Sequence, residues 1–293
     1  MWRASQSFFL LTGSGALIVV FMPNVIVDHD DLGELIPPGV LLRKPTGEWV
    51  EAAGHLNGFG GFHGGLTLAV LASAMQSHAP GLELRSITGR FGRPIDSGFR
   101  ITSSLVRAGR NTSTVTASAE TDKGVHVEAS AIFGAGSDAD WPLVAPAAPE
   151  SPAPEDLEVF AIPKEFLPIA TSMEIRPVGV SRPYAGGKEP ELTAWIRIVE
   201  DDDPPDVLRF VFLMDALAPS YTAILSTLAF VPTVELTVRP GVGLAQTSSP
   251  WILLRARTLA ASPSGWVDEQ IDAWGRDGTH LGTAHQLRLV RQG

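Results

Sequence analysis

The sequence predicts an α+β fold with two antiparallel curled sheets, each wrapping a central helix. Three observations predict it. The run "GGLTLAVLASAMQSH" (64–78) is apolar on every side at helical length, the pattern of a helix buried all round. Strand-like runs with short polar or Gly-containing turns follow it, as hairpin-linked strands require. The same plan then recurs in the second half of the chain. One helix with one such sheet would leave a sheet face and edge bare. The two copies are therefore expected to pack side by side, their sheets continuing into one another.

In the first half the strands are "LELRSITGRFG", "FRITSSLVRAG", "NTSTVTASAET" and "VHVEASAIF". In the second, "ELTAWIRIVE" leads to a helix from Asp206 to Ala218, followed by "VPTVELTVRP", "WILLRARTLAAS", "GWVDEQIDAWG" and "THLGTAHQLRLV". Each half has an Arg-Pro after its helix, Arg93-Pro94 and Arg239-Pro240. Each also has a tight turn before its last strand, Asp122-Lys123-Gly124 and Arg276-Asp277-Gly278, with His126 and His280 at matching offsets beyond. This self-similarity suggests an internal duplication. The Pro- and Ala-rich stretch between the halves reads as an extended, semi-rigid linker. The expected divisions are a lead-in over 1–44, a first unit over 45–134, a linker over 135–172 and a second unit over 173–293.

Residues 7–22, "SFFLLTGSGALIVVFM", are apolar but short for a membrane span of about 20 residues. No small-x-small cleavage site follows, and Met22 ends the run. It reads as a non-native or mis-assigned extension in preference to a signal peptide or a native strand. No stable membrane insertion is expected.

Composition narrows the function. The 293 residues are 44% hydrophobic with 29 Gly and 23 Pro, which indicates a globular chain. A formal net charge of −10 argues against wholesale nucleic-acid binding, which needs a basic face. The absence of cysteine removes disulfides, thiolate catalysis and thiolate zinc sites together. It also fits a reducing compartment, so a cytoplasmic location is the expectation.

Several motifs carry no chemistry. There is no Gly-x-Ser-x-Gly elbow. "GFGGFHGG" (58–65) has His63 where a dinucleotide fingerprint needs its third glycine. "VDHDD" (27–31) reads as a solvated loop, and "EDDDPPD" (200–206) as a turn and helix N-cap. In "GGFHGGL" the glycines have two readings. They permit a tight turn into the helix, or they let a ligand approach the unpaired N–H groups of its first turn, where an oxyanion can be held.

Asp215 stands alone in "FLMDALAPS" (212–220), amid apolar neighbours. A carboxylate taken out of water without partners costs several kcal/mol or picks up a proton. It is either a partly exposed group released by Pro219 or a functional group held by neighbours that favour its charge. Thr233 and Gln286 are candidate neighbours on later strands. Alternation sets Thr233 opposite Val234, Leu236 and Val238, and gives Gln286 the parity of Ala284 and Arg288.

Taken in order across both halves, "FHGGLTLAVLASAM", "WIRI…FLMDALAPS", "VPTVELTV" and "WILLRARTLAASPSGWVDEQIDAWGRDGTHLGTAHQLRLV" resemble the double hot-dog acyl-CoA thioesterases. The resemblance extends to the acyl-CoA thioesterase II group and its thioesterase-like relatives, and covers residues 45–291. It implies that Asp215, Thr233 and Gln286 hold the hydrolytic water; Gly64, Gly65 and His63, at the start of the first helix, are the candidate oxyanion or substrate-binding groups beside them. It implies an acyl-CoA substrate and no bound cofactor or metal. Homo-oligomerisation stays open. Val231-Pro232 before the threonine places the chain nearer the thioesterase-like branch. Rival readings are a hot-dog hydratase or dehydratase, a non-catalytic acyl-binding protein and an acyltransferase. His63, His126, His280 and His285 have no carboxylate partner at the place a hydratase would need one. Arg93, Arg239, Arg255 and Arg257 are available for coenzyme A phosphates, or are ordinary strand-edge arginines.

Overall fold

The computed structural model describes residues 8–13, 16–21, 36–43, 49–136, 139, 141–200 and 202–291. The acidic stretch 27–31 and Met22 lie outside the described residues. Strands β1 (Phe8–Gly13) and β2 (Ala16–Phe21) pair as an antiparallel hairpin in a two-stranded sheet of their own. Residues 8–13 and 16–21 of the apolar run are thus strand in form. Among the described residues no helix is long and apolar enough to cross a membrane.

A short helix α1 (Pro38–Arg43) and strand β3 (Trp49–Val50) lead to the first central helix, α2 (Gly64–Gln76). Its Leu66, Leu68, Ala69, Val70, Leu71, Ala72 and Met75 are all buried, as the uninterrupted apolar run requires. Then come β4 (Glu83–Phe91), β5 (Phe99–Ala108), β6 (Thr112–Thr121) and β7 (Gly124–Gly134). The second half runs β8 (Met173–Pro177), β9 (Glu191–Ile198), α3 (Val207–Leu213), β10 (Thr233–Pro240), β11 (Ile252–Ala261), β12 (Trp266–Gly275) and β13 (His280–Leu289).

All strands from β3 to β13 join one 11-stranded antiparallel sheet, ordered β3-β5-β6-β7-β4-β10-β13-β12-β11-β9-β8. The halves meet where β4 pairs β10, with Gly89 opposite Leu236 and Thr88 opposite Thr237. The two threonine hydroxyls share a hydrogen bond of 2.9 Å across this seam. A side chain at Gly89 would come within 2.7 Å of Leu68 Cδ1, so glycine there lets α2 lie close on the sheet. The equivalent turn glycines Gly124 and Gly278 both take positive φ, +100° and +81°.

Two expectations change. Helix α3 stops at Leu213 instead of reaching Ala218. The Asp215 and Ala216 N–H groups reach back only three residues, to Phe212 and Leu213 carbonyls, and Pro219 cannot continue a helix. The chain turns there, and α3 packs its end against the start of α2. The segment read as a linker is also more than a tether. Trp274 Nε1 donates to the Pro146 carbonyl at 3.0 Å, and Trp195 Nε1 donates to the Pro152 carbonyl at 2.9 Å. With Ala148 and Leu157 packed on Trp195, Trp251, Leu253 and Trp274, it forms a strap over the outer face of the second half.

Candidate active site

The end of α3, the start of α2 and the seam strands bring Asp215, Thr233 and Gln286 together. The Gly65 N–H donates to Asp215 Oδ2 at 2.8 Å. Gln286 Nε2 donates to Asp215 Oδ1 at 3.1 Å. The Thr233 hydroxyl donates to Gln286 Oε1 at 2.8 Å. Each carboxylate oxygen therefore accepts a hydrogen bond, and the carboxylate sits at the N-terminal end of α2. Asp215 is half-buried while Gln286 is buried, so the carboxylate stands at the mouth of the network and the amide behind it.

The convergence depends on a β-bulge between Thr233 and Glu235, a feature that simple alternation misses. Leu236 pairs with Gln286, and both are buried on the helix-facing side. Strict alternation from Leu236 would turn Thr233 to the opposite face. The extra residue restores it, so Thr233 pairs with Arg288 and shares the face of Gln286.

The glycine amides divide differently from the oxyanion expectation. Gly65 N–H is taken by Asp215. His63 caps α2, its Nδ1 accepting from Leu66 N–H at 3.3 Å, so the ring is a helix cap. It lies edge-on to Phe212, with ring centroids 5.3 Å apart. Burial pushes its pKa below the ordinary 6.5, against the opposing pull of the Asp215 charge. A depressed folded-state value means that the neutral ring stabilises the fold above pH 6.5. That stability is lost as pH falls below 6.5 towards the lowered value. His63→Asn keeps a capping side chain without a titrating ring. Its Tm is expected to fall less than that of the wild type between about pH 7 and 5. Parallel Tm curves for the two proteins would refute this.

The remaining candidates lie elsewhere. His126 is buried with both ring nitrogens engaged, by the Pro94 carbonyl at 2.8 Å and Thr121 Oγ1 at 2.7 Å. His280 does have a carboxylate neighbour, Asp272, at 3.6 Å. Asp272 pairs with Thr283, whose parity is opposite to that of Gln286, so this His–Asp pair faces away from Asp215. Arg257 reaches Asp272 at 3.5 Å and Arg255 stacks 5.1 Å from the Trp274 ring centre, both on that outer face. Arg93 donates to the Lys123 carbonyl.

Phe91 closes one side of the site, since a Cβ on Gly64 would meet both Asp215 Oδ2 at 3.0 Å and Phe91 Cε1 at 3.2 Å. Phe91 also lines an open groove of about 520 Å³ along the seam, with Val234, Glu235, Arg90 and Leu287. Sequence reasoning missed Arg288 and Glu269. Both are buried, and Arg288 donates to Thr233 Oγ1 at 2.9 Å and to Glu269 Oε2 at 2.7 Å. The signal was available: Arg288 has the parity of Gln286, and Glu269 stands among Val267, Ile271 and Ala273 on one strand face.

Comparison with known proteins agrees with this architecture. Residues 52–134 match the acyl-CoA thioesterase N-terminal domain, and residues 145–290 match the acyl-CoA thioesterase C-terminal domain. A conserved hot-dog protein of unknown function from Alicyclobacillus acidocaldarius is similar in structure, with TM-score 0.76 and 24% identity. That likeness covers 84% of this chain and 93% of that one. A TesB protein from Mycobacterium avium subsp. paratuberculosis gives TM-score 0.67 at 18% identity, over 86% and 98% of the two chains. An acyl-CoA thioesterase II from Mycobacterium marinum gives 0.64 at 18%, over 78% and 89%. No curated protein matches the chain in sequence. With both thioesterase domains matched in order and a hot-dog fold shared with these structures, the chain belongs to the acyl-CoA thioesterase family of hot-dog proteins.

Proposed function

We propose that this protein is a double hot-dog hydrolase that cleaves acyl-CoA thioesters to a free acid and coenzyme A. Family membership supports thioesterase activity broadly. The observation that carries the mechanism is the Asp215 carboxylate, held between the Gly65 N–H and the Gln286 amide where the end of α3 meets the start of α2. The two units span 45–134 and 173–293, and the seam between β4 and β10 is their junction.

Asp215 is the general base. It takes a proton from water as the water oxygen bonds to the thioester carbonyl carbon, and the carbonyl electron pair moves onto oxygen. Gln286, held by Thr233, orients the carboxylate and the water, contributing position. The Gly64 N–H, at the first position of α2, is the oxyanion donor, since Gly65 serves Asp215. Collapse of the intermediate breaks the C–S bond, and the departing thiolate recovers the proton from Asp215.

Hydrolysis of an acyl-CoA panel from acetyl to palmitoyl, followed by thiol release, tests this. At least one chain length is expected to give turnover well above a no-enzyme control. A folded protein that binds acyl-CoA without releasing thiol would instead be a non-catalytic acyl-binding protein.

A further inference from the structure

A buried ion pair lies behind the three residues just described, and its chemistry sets the direction of their hydrogen bonds. Arg288 and Glu269 are 4% and 0% exposed and joined at 2.7 Å. Such a pair adds little net stability, because desolvating both charges offsets most of their attraction. Its other bonds suggest a different role. Arg288 Nη1 donates to Thr233 Oγ1 at 2.9 Å, and Glu269 Oε1 accepts the N–H of Ser220 in the segment that follows Asp215.

A guanidinium has five N–H donors and no acceptor, and it does not lose its proton in a protein. Thr233 Oγ1 must therefore accept from Arg288, which leaves its one proton for Gln286 Oε1. That bond places the amide oxygen, so the NH₂ end of Gln286 has to face Asp215 Oδ1. Without the arginine, the threonine could accept from the amide instead. Gln286 would then turn its oxygen toward Asp215, an arrangement that only a protonated, inactive carboxyl could satisfy.

We propose that Arg288, anchored by Glu269, is a positioning residue that fixes the hydrogen-bond polarity of the Thr233–Gln286–Asp215 chain and so keeps the base ready to accept a proton. This rests on Asp215 acting as the general base. Glu269 has a second effect through Ser220, since it ties the Asp215 loop to the strand that carries the arginine's partner.

The test replaces the pair by neutral groups of similar size, Glu269→Gln with Arg288→Met, so that no buried charge is left alone. In this double variant kcat is expected to fall about ten-fold with KM within about two-fold, as for lost positioning. Thr233→Val is expected to cost a similar factor. The triple variant should be no slower than the double, because one chain of bonds has already been broken. Independent, multiplying losses, or a folded double variant with wild-type kcat, would overturn the proposal. A second readout needs no turnover: the side-chain amide protons of Gln286 in ¹⁵N spectra. One proton is expected downfield and exchange-protected in the wild type, and averaged in the double variant. If the wild type hydrolyses nothing while this signature behaves as stated, the thioesterase reading fails and the polarity assignment stands. An unchanged signature in the double variant overturns the assignment whatever the activity. Should the double variant not fold, Arg288→Lys decides the matter. An ammonium also only donates, so the amide signature must persist, and its loss refutes the proposal.

Discussion

Asp215→Asn lowers kcat for acyl-CoA hydrolysis by about 10² or more, the usual scale for removing a general base. KM changes little, because asparagine has nearly the same volume as aspartate. The loss has two sources. Asparagine cannot take the proton, and it also conflicts with its neighbours. Asp215 accepts one bond on each oxygen, from Gly65 N–H and from Gln286 Nε2. An amide has one oxygen, so its NH₂ end must face one of those two donors, whichever way it turns. Gln286 cannot relieve the conflict by turning while Thr233 donates to its oxygen. The variant is therefore expected to lose a small amount of stability along with nearly all turnover. Thr233→Val and Gln286→Ala should each slow hydrolysis less, since Gly65 still supports the carboxylate, and their combined effect should not multiply. Thiol-release kinetics and a melting curve on each variant check this. An Asp215→Asn protein with wild-type kcat would remove Asp215 from the mechanism.

The ease of reading each feature from the sequence followed its range along the chain. Helix α2 was plain because an unbroken apolar run of that length has no other stable form. The hairpin strands were plain because their turns punctuate them, and each expected strand lies within a residue or two of its observed place. Asp215 stood out physically as a lone charge in an apolar stretch, but its partners are 71 residues away in Gln286 and 150 in Gly65. Alternation only permitted Thr233 and Gln286 to face Asp215, and the resemblance made the choice. The alternation argument for Thr233 reached the right cleft by the wrong route, since it had no way to register the bulge. The glycine pair was expected to serve the substrate, whereas the Gly65 N–H donates to Asp215. Arg288 and Glu269 were hidden for another reason. Charged residues on strands usually face solvent, and that expectation masked the parity Arg288 shares with Gln286 and Glu269 with Val267 and Ile271.

Gly65→Ala is the other large effect expected, and it acts on fold and site together. Alanine is the better helix former by up to about 1 kcal/mol, so propensity alone would favour the change. Packing opposes it. The added Cβ would stand 2.6 Å from Asp215 Cβ and 2.7 Å from the Phe212 carbonyl oxygen, and the second of these is backbone that no rotamer change can move. Overpacking of this kind costs about 1–3 kcal/mol, which outweighs the propensity gain. The start of α2 must then draw away from the end of α3, and that displacement falls on the bond from Gly65 N–H to Asp215 Oδ2. Since a shift of about 1 Å in catalytic geometry can cost 10², turnover is expected to collapse even in the fraction that stays folded. Gly54→Ala is the matched control, because a Cβ there meets no atom within 4 Å. Melting curves and thiol-release assays on both variants test the pair. A Gly65→Ala protein that melts and turns over like the control would mean that α2 and α3 can separate freely at this contact. Asp215 would then not depend on the closeness that glycine alone allows.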